Sequence, residues 1–134
     1  MRITKKQVER NIRRWIKALR SGDYKQGTNS LSYNGKHCCL GVACEVFKIE
    51  KQKCVTSGGK ELCVWQYKDD GSLKWARANL PDKVRQLLGL QNHDGKYNDF
   101  SLIRLNDTGH SFEQIANVIQ SQPSGLFKYR NLKI

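Results

Sequence analysis

The stretch CCLGVACEVF, from Cys38 to Phe47, sets Leu40, Val42, Ala43, Val46 and Phe47 around nearly all sides of a helical wheel. A helix without a polar face cannot lie on a surface, because water would meet apolar side chains on whichever side faced out. It has to run through the centre of a core, and the flanking segments have to cover it.

The first cover is legible at the N-terminus. Thr4 followed by Gln7 is a capping-box pattern, and Val8, Ile12, Trp15, Ile16 and Leu19 recur at helical spacing. A helix is expected from about Lys5 to Arg20, stopped by Ser21-Gly22. Asn34-Gly35, between LSY and KHC, signals a tight hairpin, since a type I′ turn needs positive φ at both central residues. ELCVWQY reads as a strand, KDDGS as a turn and LKWARA as its partner strand. LPDKVRQLLGL reads as a short helix opened by Pro81 and ended by Gly89. QNHDGKYND reads as loop, FSLIRLND as a short helix, and SFEQIANVIQ as a last helix with a second capping box at Ser111 and Gln114. KCVTSGGKE and the residues after Pro123 look linker-like. The expectation is one domain over residues 1–134, helix-dominated α+β with a short antiparallel sheet, and 123–134 as a candidate flexible tail.

The 134 residues carry 24 Lys and Arg against 12 acids, a formal charge of +12. Residues 1–25 hold nine of those basic residues and two acids, a net +7. Lys6, Arg10, Arg13, Arg14 and Lys17 fall largely opposite the apolar stripe of the first helix. A positive surface of one sign favours polyanions, although it also serves as a solvated helix face. No stretch reaches the ~18 apolar residues of a membrane span, and the N-terminus has no apolar h-region. A reducing cytosol is therefore expected, with the five cysteines as thiols rather than bridges.

Two clusters carry candidate chemistry. Cys38 and Cys39 open the central helix, where the macrodipole favours a thiolate, so either is a candidate nucleophile. Gln26-Gly27 upstream and a cysteine at a helix start resemble papain-like hydrolases, which would make His110, His93 or His37 the base. Against this, Leu40-Gly41 replaces the usual residues after such a nucleophile, and free cysteines commonly serve as small buried hydrophobes. Cys38, Cys39, Cys44, Cys54 and Cys63 contain no CxxC pair, and Cys39 and Cys44 are misaligned on a helix, so neither metal nor cofactor is expected. The second cluster, Asn106, Asp107, Thr108, Gly109, His110 and Ser111, feeds a helix N-terminus and suits an anion, or else caps and turns the chain. A ligand role there requires Gln26, Gly27, Thr28 and Asn29 to lie alongside. Trp65 and Trp75 are candidates for base stacking, with packing of the sheet as the alternative.

WIKALRSGDYKQGTNSL, HCCLGVACEVF, LPDKVRQLLGL and RLNDTGHSFEQIANVI, in that order, resemble a family of small uncharacterised bacteriophage and prophage proteins. The shared blocks are W-x-x-A-L-R-S-G-x-Y-x-Q-G, C-C-L-G-V-x-C, L-P-x-x-V-x-x-x-L-G-L and L-N-D-x-G-x-S-F-x-x-I-A-x-x-I. The resemblance implies a viral origin, action in the bacterial cytoplasm and roles such as countering host defence; it implies no catalytic chemistry. Three functions follow as expectations: a non-enzymatic binder of a small phosphorylated ligand such as a defence signalling nucleotide; a nucleic-acid or host-protein binder using the basic first helix; and a Cys-dependent hydrolase or transferase. A homo-oligomer is compatible with each.

Overall fold

The computed structural model describes all residues except 1, 49–50, 70–71 and 77–79. Strand residues 51–53, 55, 57, 65–69 and 72–76 are described by backbone alone. The described residues form an α+β fold of five helices and two small sheets. None of the helices is long and apolar enough to cross a membrane.

Helix α1 (Lys5–Arg20) starts at the expected capping box. The Gln7 amide donates to Thr4 Oγ1 at 3.2 Å, and the Thr4 amide donates to Gln7 Oε1 at 2.9 Å. Its stripe of Val8, Ile12, Trp15, Ile16 and Leu19 is buried. The central helix α2 (Cys39–Phe47) begins one residue later than the pattern suggests, because Cys38 is its N-cap. The Cys38 sulfur accepts from the Gly41 amide at 3.4 Å, in the role a hydroxyl usually fills. Leu40, Val42 and Ala43 are fully enclosed, each such aliphatic chain contributing on the order of 1–3 kcal/mol. Trp15 ties the two helices, its indole N–H donating to the Cys39 carbonyl at 2.9 Å.

Gly41 explains how α2 gets so close to its neighbours. A Cβ there would fall on the Leu31 carbonyl. The glycine lets the helix backbone rest directly on the backbone of Leu31, the residue before the strand that follows the Gln26-Gly27 loop.

That strand belongs to a mixed sheet. Strands β1 (Lys25–Gln26), β2 (Ser32–Tyr33), β3 (Lys36–His37), β4 (Lys51–Ser57) and β5 (Lys60–Asp69) lie in the order β1-β3-β2-β5-β4, and β6 (Ser72–Ala76) also pairs with β5. The β2–β3 turn is Asn34-Gly35 with φ of 52° and 77°, as its sequence signal requires. β1 runs parallel to β3, and the other pairings are antiparallel.

Three expectations are corrected. KCVTSGGKE is not a linker: β4 and β5 form a hairpin across Gly58-Gly59, whose φ values of 59° and 77° again suit a two-residue turn. The two glycines that make the stretch look linker-like supply the positive φ of the turn. The same register sets Cys54 opposite Cys63, and the two are joined by a disulfide, whereas Cys38, Cys39 and Cys44 are buried in the core. Part of the QNHDGKYND loop is paired, as β7 (Lys96–Tyr97) with β8 (Phe100–Ser101).

Helix α3 (Asp82–Leu87) follows its N-cap Pro81, helix α4 (Leu102–Asp107) is capped by Ser101, and α5 (Phe112–Ser121) by the Ser111–Gln114 box. α5 packs on α1, and α4 on α2. The segment after Pro123 is docked: Leu126, Phe127 and Leu132 are buried, and Gln122 clamps Leu132 through both its side-chain amide groups at 2.6 and 2.8 Å. Its apolar residues are too sparse to show a period, so sequence spacing does not reveal that they close the core.

Candidate functional site

Both polar clusters singled out in the sequence come together around one side chain. Asn106, on the last turn of α4, is 1% exposed. Its Oδ1 accepts from Gln26 Nε2 at 2.9 Å and from the Cys39 amide at 3.2 Å. Its Nδ2 donates to the Gly27 carbonyl at 2.7 Å and to Asp107 Oδ1 at 3.3 Å. All four hydrogen-bonding positions of the amide are filled. Gln26 continues the network, donating also to the His110 carbonyl at 2.6 Å and accepting from the Phe112 amide at 3.1 Å. Asp107 Oδ1 receives the Asn29 amide at 3.0 Å, holding Asn29 at φ 67°.

This cluster joins three otherwise separate pieces: the first turn of α2, the loop after β1, and the α4–α5 turn. Free N–H groups at the starts of α2 and α5 are consumed inside it by Asn106, Gln26 and Ser111. At the α5 start, where the sequence suits an anion, the Phe112 and Gln114 amides are thus already engaged by the protein. Gly109 and Ser111 stay exposed on the α4–α5 turn, with Ser111 capping α5. Thr28, Asn29 and the accessible edges of Gln26 and Gly27 instead line an open groove of about 550 Å³ with Tyr33 and Lys36.

The cysteines sit beneath this cluster. Burial pushes the Cys38 thiol up to about 11, against the amide of Gly41 and its own dipole position, and burial likewise raises Cys39. Cys39 Sγ points to the Leu102 carbonyl at 3.6 Å. His110 Nδ1 is engaged with the Leu105 carbonyl at 3.1 Å, and His93 Nδ1 with Leu80 at 2.8 Å. Among the described residues no histidine partners the sulfur of Cys38 or Cys39. Desolvation outweighs the helix dipole here, so both stand as neutral thiols in the floor of the cluster. Burial also lowers His37, whose ring meets Tyr24 edge-on at 5.7 Å.

The basic face of α1 is open. Lys6, Arg10, Arg13 and Lys17 recur at i, i+4, i+7 and i+11, a stripe roughly 16 Å long at 1.5 Å per residue. All four are exposed, and among the described residues none of them has an acidic partner within 4.0 Å. The acid that could have neutralised the stripe, Glu9, is buried and accepts the Lys133 amide, while the Arg13 guanidinium donates to the Lys133 carbonyl. The docked C-terminus therefore forms one wall of two adjoining grooves that share Arg13. One, of about 510 Å³, lies between Lys6, Arg10 and Lys133, with Glu9 also in its lining; the other, of about 500 Å³, lies between Lys17, Arg20 and Ile134. Arg14, grouped with these in the sequence, turns aside: its guanidinium lies 5.1 Å over the Phe47 ring and donates to the Val46 carbonyl at 3.4 Å. The role of Lys133 and Ile134 had no local sequence signal, since it depends on where the chain end docks. The side chains of Trp65 and Trp75 lie outside the described residues.

The fold and these sites define a small helix-dominated α+β protein with a closed polar cluster at its centre and an open cationic face. The chain belongs to the family DUF8296, a domain of unknown function, whose model matches residues 8–123. No curated protein and no solved structure matches it.

Proposed function

We propose that the protein is a non-enzymatic polyanion-binding protein, and that its partner is nucleic acid held by phosphate contacts along α1. One observation carries this reading: Lys6, Arg10, Arg13 and Lys17 form a straight, exposed stripe that opens into grooves and has no acidic partner within 4.0 Å among the described residues. Four ammonium and guanidinium groups on one face match a regularly charged backbone, and the formal charge of +12 adds long-range attraction. The resemblance to bacteriophage proteins supports action inside a bacterial cell, where interference with host defence is a fitting role.

Fluorescence anisotropy with labelled single- and double-stranded oligonucleotides tests this. Neutralising about four phosphates gives a slope of log K against log salt near −3.6 for duplex and near −2.8 for single strands. Reversing Arg10, Arg13 and Lys17 to Glu should abolish binding. Affinity that ignores salt would exclude a nucleic acid.

A second reading, the small phosphorylated ligand, is favoured by groove volumes of about 500 Å³, within the range of small-molecule pockets. Titration calorimetry against cyclic and ADP-ribose-type nucleotides separates the two readings, because a groove ligand would bind stoichiometrically and compete with oligonucleotides through Arg13.

A further inference from the structure

The β4–β5 hairpin holds a group of donors that neither the polar cluster nor the basic face uses. Cys54 and Cys63 are directly opposite in the register, with Cα atoms 4.0 Å apart. Glu61 lies two residues before Cys63 and so projects from the same face of the strand. Its carboxylate oxygen is 3.6 Å from Cys63 Sγ, and the three donor atoms lie within 4.8 Å of one another. Cys54 and Glu61 are exposed, whereas Cys38, Cys39 and Cys44 are buried in the core. Cys63 itself is buried, so solvent species reach this sulfur pair from the Cys54 side, whereas the other three cysteines offer no exposed partner.

We propose that Cys54, Cys63 and Glu61 form a binding site for a thiophilic divalent cation of the zinc class, present when the disulfide is reduced. A cellular thiol R–SH opens the bond: the protein disulfide gains two electrons and two protons and becomes two thiols, while two R–SH become R–S–S–R. The cation then displaces both thiol protons, which pass to solvent, and binds two thiolates and the Glu61 carboxylate. Two sulfur donors select this class of ion over magnesium or calcium. Three protein ligands leave the fourth tetrahedral position to water. The backbone already places the ligands side by side, and side-chain rotation suffices to admit the ion. β4 has β5 as its strand neighbour, so a covalent or metal cross-link at this register pins the hairpin in either redox state.

Cadmium is the probe, because its thiolate complexes absorb in the ultraviolet. The full-length protein is reduced with a phosphine, freed of reductant under nitrogen and titrated. The expected result is a charge-transfer band saturating at one cadmium per chain in the folded wild type, lost in Cys54→Ser and Cys63→Ser. Glu61→Gln, which keeps both thiols, should weaken binding roughly tenfold or more. Cys54 is exposed, so its serine variant should keep the wild-type far-ultraviolet circular dichroism. A disulfide that resists the phosphine overturns the proposal. So does absence of the band in reduced wild type, its persistence in the serine variants, or unchanged affinity in Glu61→Gln.

Discussion

Removing the Asn106 side chain tests whether the polar cluster is architecture or a binding site. In Asn106→Ala the Cys39 amide and the Gly27 carbonyl both lose their partner, at 3.2 and 2.7 Å in the native protein. Gln26 keeps its bonds to His110 and Phe112, so its loss is smaller. A buried backbone group left unsatisfied costs about 1–3 kcal/mol. The enclosed Cys39 amide gives about 1–3 kcal/mol, and the half-buried Gly27 carbonyl at the edge of the open groove adds a smaller loss, against a total stability of about 5–15 kcal/mol for a domain of this kind. With a urea slope of about 1–3 kcal/mol/M, mid-range values put the fall of the midpoint at about 1 M, and the smallest at about 0.3 M. Urea unfolding followed by tryptophan fluorescence measures this. Lys83→Ala, on an exposed position of α3, is the control and should stay within about 0.5 kcal/mol. A loss below about 1 kcal/mol in Asn106→Ala would refute the reasoning, because the cluster would then not be holding α2, the β1 loop and α4 together. Loss of ligand affinity at unchanged stability would move Asn106 from architecture to recognition.

Gly41→Ala should be more damaging still, since its Cβ meets the Leu31 backbone rather than a side chain that can move; expression in the insoluble fraction, or a midpoint below that of Asn106→Ala, is expected. Cys38 gives a pH signature. Its folded value of about 11 is raised from the ordinary 9.0, so the buried thiol adds its full stability below pH 9 and loses it as pH rises toward 11. Two units amount to about 3 kcal/mol, and Cys38→Ser should remove that part of the alkaline fall in urea midpoint. His37 acts at the acid side: burial lowers its value below 6.5, so the unfolded chain takes up the proton first and stability declines as pH drops through about 6.5. His37→Leu should flatten that decline. In the oligonucleotide assay, Arg14→Glu should cost less than Arg10→Glu, because Arg14 is occupied by Phe47 and Val46 and turns off the stripe on which Arg10 stands exposed.

Local sequence determined the elements whose cause is local. Capping boxes at Thr4 and Ser111, the apolar stripe of α1, the all-round apolarity of α2 and the Asn34-Gly35 turn each involve residues within a few positions of one another, so spacing alone reveals them. It also singles out Gln26 and Asn106, through their polar company, as two residues that turn out to hydrogen-bond to each other. What Asn106 does was decided by tertiary structure, because its four partners are contributed by residues 26, 27, 39 and 107, and only folding closes those distances. The same holds for Cys38, where a helix start argues for a thiolate and burial, invisible in the sequence, reverses it. Cys54 meets Cys63 because a strand register puts nine residues of separation opposite each other. The basic stripe was legible as charge, but its separation from Arg14, and the grooves beside it, came from the docking of Phe47 and of the C-terminus against α1. Periodicity reports which face of an element is buried; which distant groups meet there is set by packing.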